Sequence, residues 1–340
     1  MTLFNTIMEN KYSSISVIGL AKNTGKTTTL NYIIDEAKKN TGLKLGITST
    51  GWDGEAYDTV SGEPKPKIIM PENYIAVTTA ECLQRISAGY KILERTGMFT
   101  SLGEVVIIEI TSAGRIEIAG PLTIYELKKI KEKMIKFGCE LLLFDGALNR
   151  RSSASCEVCD GVIIATGINA GYNIEDAEKN TAYFIELISL KKFERDLCLS
   201  SETENSFFSN LKTNENKPVT KKGVIFEKQF PYGSDWILYL SGALTDEIIE
   251  FFINKKYNFD IISDDFTKIF ISRQNLIKWK KRGNKIFYRK PSKLIGIKVN
   301  PVSPEANKVD PKKFLERMKN ICLPYNVYDV ILEREKIQNE

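Results

Sequence analysis

The segment Gly19-Leu-Ala-Lys-Asn-Thr-Gly-Lys-Thr-Thr-Thr29 constrains this chain more than any other. A β-type apolar run, Ile15-Ser16-Val17-Ile18, leads into it, and Leu30, Ile33 and Ile34 follow at helical spacing, so Gly25 stands where a strand turns into a helix. In such a turn the backbone N–H groups of residues 23–28 converge on an anion, and the helix N-terminus adds positive potential. Asn23, Thr24, Gly25, Lys26, Thr27 and Thr28 would then cradle phosphate, with Lys26 reaching the β- and γ-phosphates of a nucleotide and the Thr27 hydroxyl ligating Mg²⁺. This is the chemistry of a P-loop, with one departure. The position five residues before Gly25, usually small, is Leu20, and Gly19 stands one earlier. The bland alternative is a glycine-containing turn with a chance Gly-Lys-Thr, which the flanking strand and helix disfavour.

At 340 residues the chain has room for two domains, each with its own core. It contains no histidine, which excludes Ser-His and Cys-His nucleophile pairs, His-ligated zinc and a His axial ligand to haem or cobalt. Chemistry must therefore rest on carboxylates, Lys, Arg and bound metal. The formal charge of +5 is too mild to argue for nucleic acid by itself. Six cysteines are scattered without a secreted-type framework, and no apolar run approaches the length that spans a bilayer, so a cytoplasmic location without membrane contact is expected.

From residue 15 to about 198, short apolar runs alternate with longer helical ones. Strands are expected at 14–19, 44–48, 74–77, 105–109, 140–144 and 161–166, and helices at 27–39, 80–95, 121–137 and 174–190. This alternation predicts an α/β fold: a P-loop NTPase-like, mostly parallel sheet with helices on both faces and the ligand at the carboxyl ends of its strands. Residues 199–222 are polar and read as a linker or surface excursion. Beyond it a smaller carboxyl-terminal α/β domain is expected over 223–340, with strands at 236–240, 268–272 and 294–299 and helices at 245–254 and 312–320.

A second chemical motif is Glu140-Leu-Leu-Leu-Phe-Asp-Gly-Ala-Leu148, an apolar strand ending in an acid, as a Walker B element does. Asp145 would hold Mg²⁺ beside the phosphate loop, although an acid ending a strand is often only a turn former. A third, Ile47-Thr-Ser-Thr-Gly-Trp-Asp-Gly-Glu55, follows the second strand; Asp53, and after it Glu55, could bind Mg²⁺ or orient an attacking water, or either acid could simply serve an Asp-Gly turn. Arg150 and Arg151 either neutralise phosphate charge or lie solvated on the surface. Cys156-Glu-Val-Cys159 is a lone C-x-x-C, read as a packed pair rather than a zinc site. Residues 111–115 read as a loop lining the site. From 267 to 299 the chain is rich in Lys and Arg and carries no acid, with Trp279, Phe287 and Tyr288 interleaved: a nucleic-acid face, a face for an acidic protein, or a solvated surface.

The loop 19–31, the Gly46-Ile-Thr-Ser-Thr-Gly-Trp-Asp-Gly-Glu55 segment and Leu142-Leu-Phe-Asp-Gly-Ala-Leu-Asn-Arg150 resemble the ATPase subunit of the lysine 5,6-aminomutase reactivase. So do Ser241-Gly-Ala-Leu-Thr-Asp246, Asp265-Phe-Thr-Lys-Ile-Phe270 and Val299-Asn-Pro-Val-Ser-Pro304, and the likeness covers most of the chain. The loop alone is also similar to molybdopterin-guanine dinucleotide biosynthesis adaptors, dethiobiotin synthetase and ParA-like ATPases. The resemblance implies a chaperone-like ATP hydrolase that uses ATP and Mg²⁺ to release damaged cobalamin from an adenosylcobalamin-dependent aminomutase, working with a subunit related to mismatch-repair ATPases. By motif, Gly25, Lys26, Thr27 and Thr28 would bind phosphate, and Thr27, Asp53 and Asp145 would serve Mg²⁺. Two other readings remain: an ATP-dependent small-molecule kinase or ligase of the dethiobiotin synthetase type, and a nucleotide-regulated nucleic-acid-binding protein using 267–299.

Overall fold

The computed structural model describes residues 2–39, 42–52, 67–147, 151–195, 206–221, 224–225, 231, 233, 235–301 and 310–333. The chain divides into two compact units, Met1–Ala182 with Lys293–Glu340, and Tyr183–Ser292. In chain order the elements that matter here are α1 (Leu3–Glu9), β1 (Ser14–Gly19), α2 (Lys26–Lys39), β2 (Leu45–Ser49), β3 (Ile75–Thr79), β4 (Gly89–Thr100), β5 (Gly103–Ser112), α3 (Ile124–Lys136), β6 (Leu141–Ala147), β7 (Gly161–Gly167) and α4 (Ile174–Ile188). There follow β8 (Phe207–Asn210), β9 (Asn216–Pro218), β10 (Trp236–Leu240), α5 (Asp246–Asn254), β11 (Asp260–Ser263), α6 (Arg273–Lys281), β12 (Ile286–Tyr288), β13 (Leu294–Asn300), α7 (Pro311–Ile321) and β14 (Val327–Tyr328).

The first unit holds a nine-stranded sheet among the described residues, in the order β14-β13-β7-β1-β6-β2-β3-β5-β4. Every neighbouring pair from β14 to β3 is parallel, and the pairs β3–β5 and β5–β4 are antiparallel, so that only β5 runs against the rest. The central strands β1, β2 and β7 are buried along their whole lengths, as parallel strands covered on both faces must be. One cover is α2, whose Leu30, Ile33, Ile34 and Ala37 recur at i, i+3, i+4 and i+7 and join a core with Ile15, Val17, Leu141 and Leu143. The other is α3: a Cβ on Gly46 would lie 2.4 Å from Met134 Cε and 3.0 Å from Leu142 Cδ2, so that helix packs on the opposite side of the same strands. Its start is fixed by Thr123, whose hydroxyl accepts from Glu126 N–H at 3.2 Å. Each fully buried Leu or Ile in this core contributes about 1.5–3 kcal/mol.

Residues 80–95 do not form the expected helix. A short 3-10 turn at Cys82–Arg85 leads into β4, which pairs antiparallel with β5. Tyr90, Ile92, Thr96, Phe99 and Thr100 are β-branched or aromatic and fit an edge strand; the helical spacing of Leu83, Ile86 and Tyr90 was coincidental. Nor is 111–115 a loop at the site, because Gly114–Ile116 pairs antiparallel with Ile68–Met70.

The division of the chain also differs from a cut at 198 and 223. β13 pairs parallel with β7 from Leu294 to Asn300, so the segment after Lys293 completes the first sheet instead of belonging to a separate carboxyl-terminal domain. Part of the expected polar linker is structured as well, since Phe207–Asn210 pairs antiparallel with Trp236–Leu240. The remainder of 199–205 lies outside the described residues.

The second unit is built on the sheet β9-β8-β10-β11-β12, in which β10, β11 and β12 are parallel. Trp279 of α6 is fully buried, against Phe252 of α5 and Phe259. At the carboxyl end of β11, Asp264 accepts from Tyr239 Oη at 2.9 Å and pairs with Lys268 at 2.5 Å and Arg289 at 2.7 Å. The expected strand at 268–272 shortens to Ile269–Phe270, because Ser272 caps α6 by accepting from Asn275 N–H at 3.3 Å.

Candidate functional site

β1 ends at Gly19 and α2 begins at Lys26, so residues 20–25 bridge strand to helix as the sequence predicts. The bridge is pinned at several points. Leu20 N–H donates to Ala165 O of β7 at 2.9 Å, the buried Thr24 hydroxyl donates to Ala21 O at 3.0 Å, and the Thr29 hydroxyl donates back to Gly25 O at 2.9 Å. Asn23 and Gly25 adopt positive φ of 59° and 83°, the second being a conformation that glycine adopts without strain. N–H groups in the first turn of a helix have no acceptor one turn back, so the first turn of α2, which starts at Lys26, is the kind of helix end that suits an anion.

β6 lies directly beside β1 with Asp145 opposite Val17, and beside β2 with Asp145 opposite Ser49. That register brings the Asp145 carboxylate to the loop, where Oδ1 stands 3.0 Å from Lys26 Nζ. Both side chains are largely buried, at 17% and 11% exposure, so they neutralise each other in an environment that screens charge poorly. Ser16 and Ser153 hydroxyls meet at 3.1 Å under Gly146. Arg151, four residues beyond the end of β6 at position 147, is 8% exposed; the solvated-surface reading does not hold for it. Arg150 lies outside the described residues.

The end of β2 is locked to the same edge. Thr50 N–H donates to Asp145 O at 3.1 Å, Gly51 N–H to Pro121 O at 3.3 Å, and Gly120 N–H to Gly51 O at 3.1 Å. Trp52 Nε1 donates to Glu117, and Arg85 covers the Trp52 ring at 5.4 Å. Asp53 and Glu55 lie outside the described residues, so the structure brings together Lys26 and Asp145, with Thr27 next to Lys26 in the first turn of α2, but does not describe those two acids. A Cβ on Gly120 would lie 2.0 Å from Ser49 O, a backbone atom, so Gly120→Ala must displace the β2 end. We expect it to destabilise the protein by about 2–3 kcal/mol, read as a lowered urea midpoint. An unchanged midpoint would contradict this packing.

The donors at this edge are hard oxygens: the Thr27 hydroxyl, the Asp145 carboxylate and the buried Thr50 hydroxyl, which has no hydrogen-bond partner among the described residues. A buried hydroxyl without a partner calls for a water or ion, and an all-oxygen set suits Mg²⁺. The set therefore fits that ion. Neither Cys156 nor Cys159 is in a disulfide, and no cluster of His, Cys, Asp or Glu able to hold a metal occurs among the described residues.

One contributor was not anticipated. Lys298 and Asn300 of β13 reach the loop from the far end of the sequence: Lys298 Nζ donates to Thr24 O at 3.3 Å and Asn300 Nδ2 to Asn23 O at 2.9 Å. The signal available was the Lys within the apolar run Leu294-Ile-Gly-Ile-Lys-Val299, a polar residue in an otherwise buried strand. No helix among the described residues is long and apolar enough to cross a membrane. Compared with protein families, with curated proteins and with solved structures, the chain matches none.

Proposed function

We propose that this protein is a Mg²⁺-dependent ATP hydrolase of the P-loop type, acting as a reactivating chaperone for an adenosylcobalamin-dependent aminomutase together with a second subunit related to mismatch-repair ATPases. The observation that carries the hydrolase reading is the placement of Lys26 at the first residue of α2, after a loop with two positive φ angles, 3.0 Å from an acid on the adjacent parallel strand. The client rests on the sequence resemblance, whose motifs extend from residue 19 to 304.

On this reading Lys26 exchanges Asp145 for the β- and γ-phosphates, a charge-assisted contact that offsets the loss of the ion pair. The N–H groups of the first helical turn hold phosphate oxygens, and Asn23 and Gly25 keep the loop open to them. Thr27 and Asp145 would hold Mg²⁺, which when bound neutralises charge on the β- and γ-phosphates. Asp53, or Glu55, orients the attacking water. Among the described residues few cations are fixed at the loop, so turnover by the isolated chain is slow, and the partner accelerates it and converts the cycle into a change of client conformation.

The nucleic-acid reading draws less support. Within 267–299, Trp279 and Tyr288 are fully buried, Lys268 and Arg289 are paired with Asp264, Lys280 is paired with Glu186, and Lys298 is buried. Nothing favours a metabolite pocket over the chaperone role. A cytoplasmic location accords with Cys82, Cys139, Cys156, Cys159 and Cys322, none of which is in a disulfide. The test is recovery of activity by a cobalamin-inactivated aminomutase given this protein, its candidate partner subunit, ATP, Mg²⁺ and intact adenosylcobalamin. Recovery that requires ATP is the expected result; hydrolysis of ATP with no recovery would overturn the chaperone assignment.

A further inference from the structure

Lys298 is 1% exposed, among the largest fully buried side chains of the protein. β13 carries it opposite Ala165 of β7, whose carbonyl accepts from Leu20 N–H, so strand pairing delivers this lysine to the level at which the 20–25 loop leaves the sheet. From there the side chain extends under Gly25. A Cβ on that glycine would lie 1.9 Å from Lys298 Nζ, 3.1 Å from Cε and 3.6 Å from Cδ, so the absence of a side chain at 25 makes room for the lysine. Nζ donates to Thr24 O at 3.3 Å, and Asn300, two residues on, holds Asn23 O.

Such an arrangement is costly. Removing an ammonium from water disfavours its charged form, and burial pushes Lys298 down to about 8, with the nearby Asp329 acting in the opposite direction. A methionine would fill much the same volume at lower cost. What an apolar residue cannot supply is a positive charge in direct contact with a loop that is about to receive a polyanion.

We propose, on the reading of residues 20–28 as a phosphate cradle, that Lys298 is a second nucleotide-affinity residue, whose charge against Gly25 and Thr24 biases the site toward nucleoside triphosphates over diphosphates. Lys26 is in direct contact with Asp145 at 3.0 Å, whereas the Lys298 ammonium bonds a loop carbonyl and feels Asp329 only as a nearby charge. The electrostatic gain grows with the charge of the ligand, which is why the effect is one of selectivity. Asn300 supplies the neutral counterpart, a tether on Asn23 that shapes the loop without adding charge.

The experiment is calorimetric titration of full-length protein with Mg·ATP and Mg·ADP, comparing wild type, Lys298→Met, Lys298→Gln and Asn300→Ala, each checked for folding by thermal unfolding. Lys298→Gln retains a donor for Thr24 O and serves if the methionine variant does not fold. We expect both Lys298 variants to bind ATP at least about tenfold more weakly and to lose part of the preference for ATP over ADP, while Asn300→Ala shifts both nucleotides by one common factor. Equal losses for ATP and ADP in the Lys298 variants, or no loss, would overturn the proposal and leave the phosphate-cradle reading intact. Wild-type protein that binds neither nucleotide would overturn that reading itself, and this proposal with it.

Discussion

Replacement of Lys26 by Ala should lower ATP affinity by at least about a hundredfold and reduce hydrolysis below detection, because it removes the one lysine placed at the N-terminus of α2. A charge-assisted contact to phosphate is worth roughly 1.5–3 kcal/mol, and Lys26 would make more than one. The same substitution has a second consequence in the absence of nucleotide. Asp145, 11% exposed at its side chain, would lose the ammonium 3.0 Å away and remain as a poorly solvated charge. The variant should therefore be destabilised by about 2 kcal/mol at neutral pH, a value reduced from that of a fully buried pair because both groups retain some solvent. Double-mutant analysis with Asp145→Ala separates the two effects: the stability losses should be coupled, and ATP binding should stay absent in both proteins that lack Lys26. ATP turnover by Lys26→Ala at the wild-type rate would remove Lys26 from the site.

Asp145→Asn should behave differently. The asparagine retains the shape of the side chain and its place at the end of β6, but it no longer holds Lys26 by charge and is a poorer Mg²⁺ ligand. Binding of Mg²⁺-free ATP should be preserved or tightened, since Lys26 is released toward the phosphates. Hydrolysis in the presence of Mg²⁺ should fall by at least about a hundredfold. A nucleotide-binding assay in EDTA beside a phosphate-release assay in Mg²⁺ distinguishes this pattern from the loss of binding in Lys26→Ala. Hydrolysis within tenfold of wild type would mean that Asp145 only terminates its strand.

Much of the first unit can be read directly from its residues, and the reason is physical. Strands covered on both faces appear as unbroken apolar runs, so β1 spans Ser14–Gly19 as expected, and β2, β3, β6 and β7 fall within a few residues of their expected bounds. The helical spacing of Leu30, Ile33, Ile34 and Ala37 likewise fixes α2. Edge strands offer no such run. β4 alternates between partly and fully exposed positions, and its aromatic and β-branched residues fell at spacings that also suit a helix.

Long-range pairing was the other obscured feature. Nothing local in Leu294–Asn300 states that it pairs with β7, across residues 168–293, rather than with the strands of the second unit that precede it. The misplaced domain boundary and the unanticipated contact of Lys298 with the loop follow from this one omission: a residue 274 positions from Thr24 reaches the loop only because its strand joins that sheet. By contrast, the Lys26 and Asp145 pairing was accessible, because a glycine-lysine-threonine after one strand and an acid at the end of another converge whenever the two strands are parallel neighbours.

The most direct measurement is amide hydrogen exchange of the wild-type protein with and without Mg·ATP. Protection on nucleotide addition is expected to concentrate in peptides covering residues 20–28, with weaker protection at the end of β6 around Asp145, and neither should appear in Lys26→Ala. Exchange at 20–28 unchanged by millimolar Mg·ATP, or protection appearing only in the second unit, would contradict it.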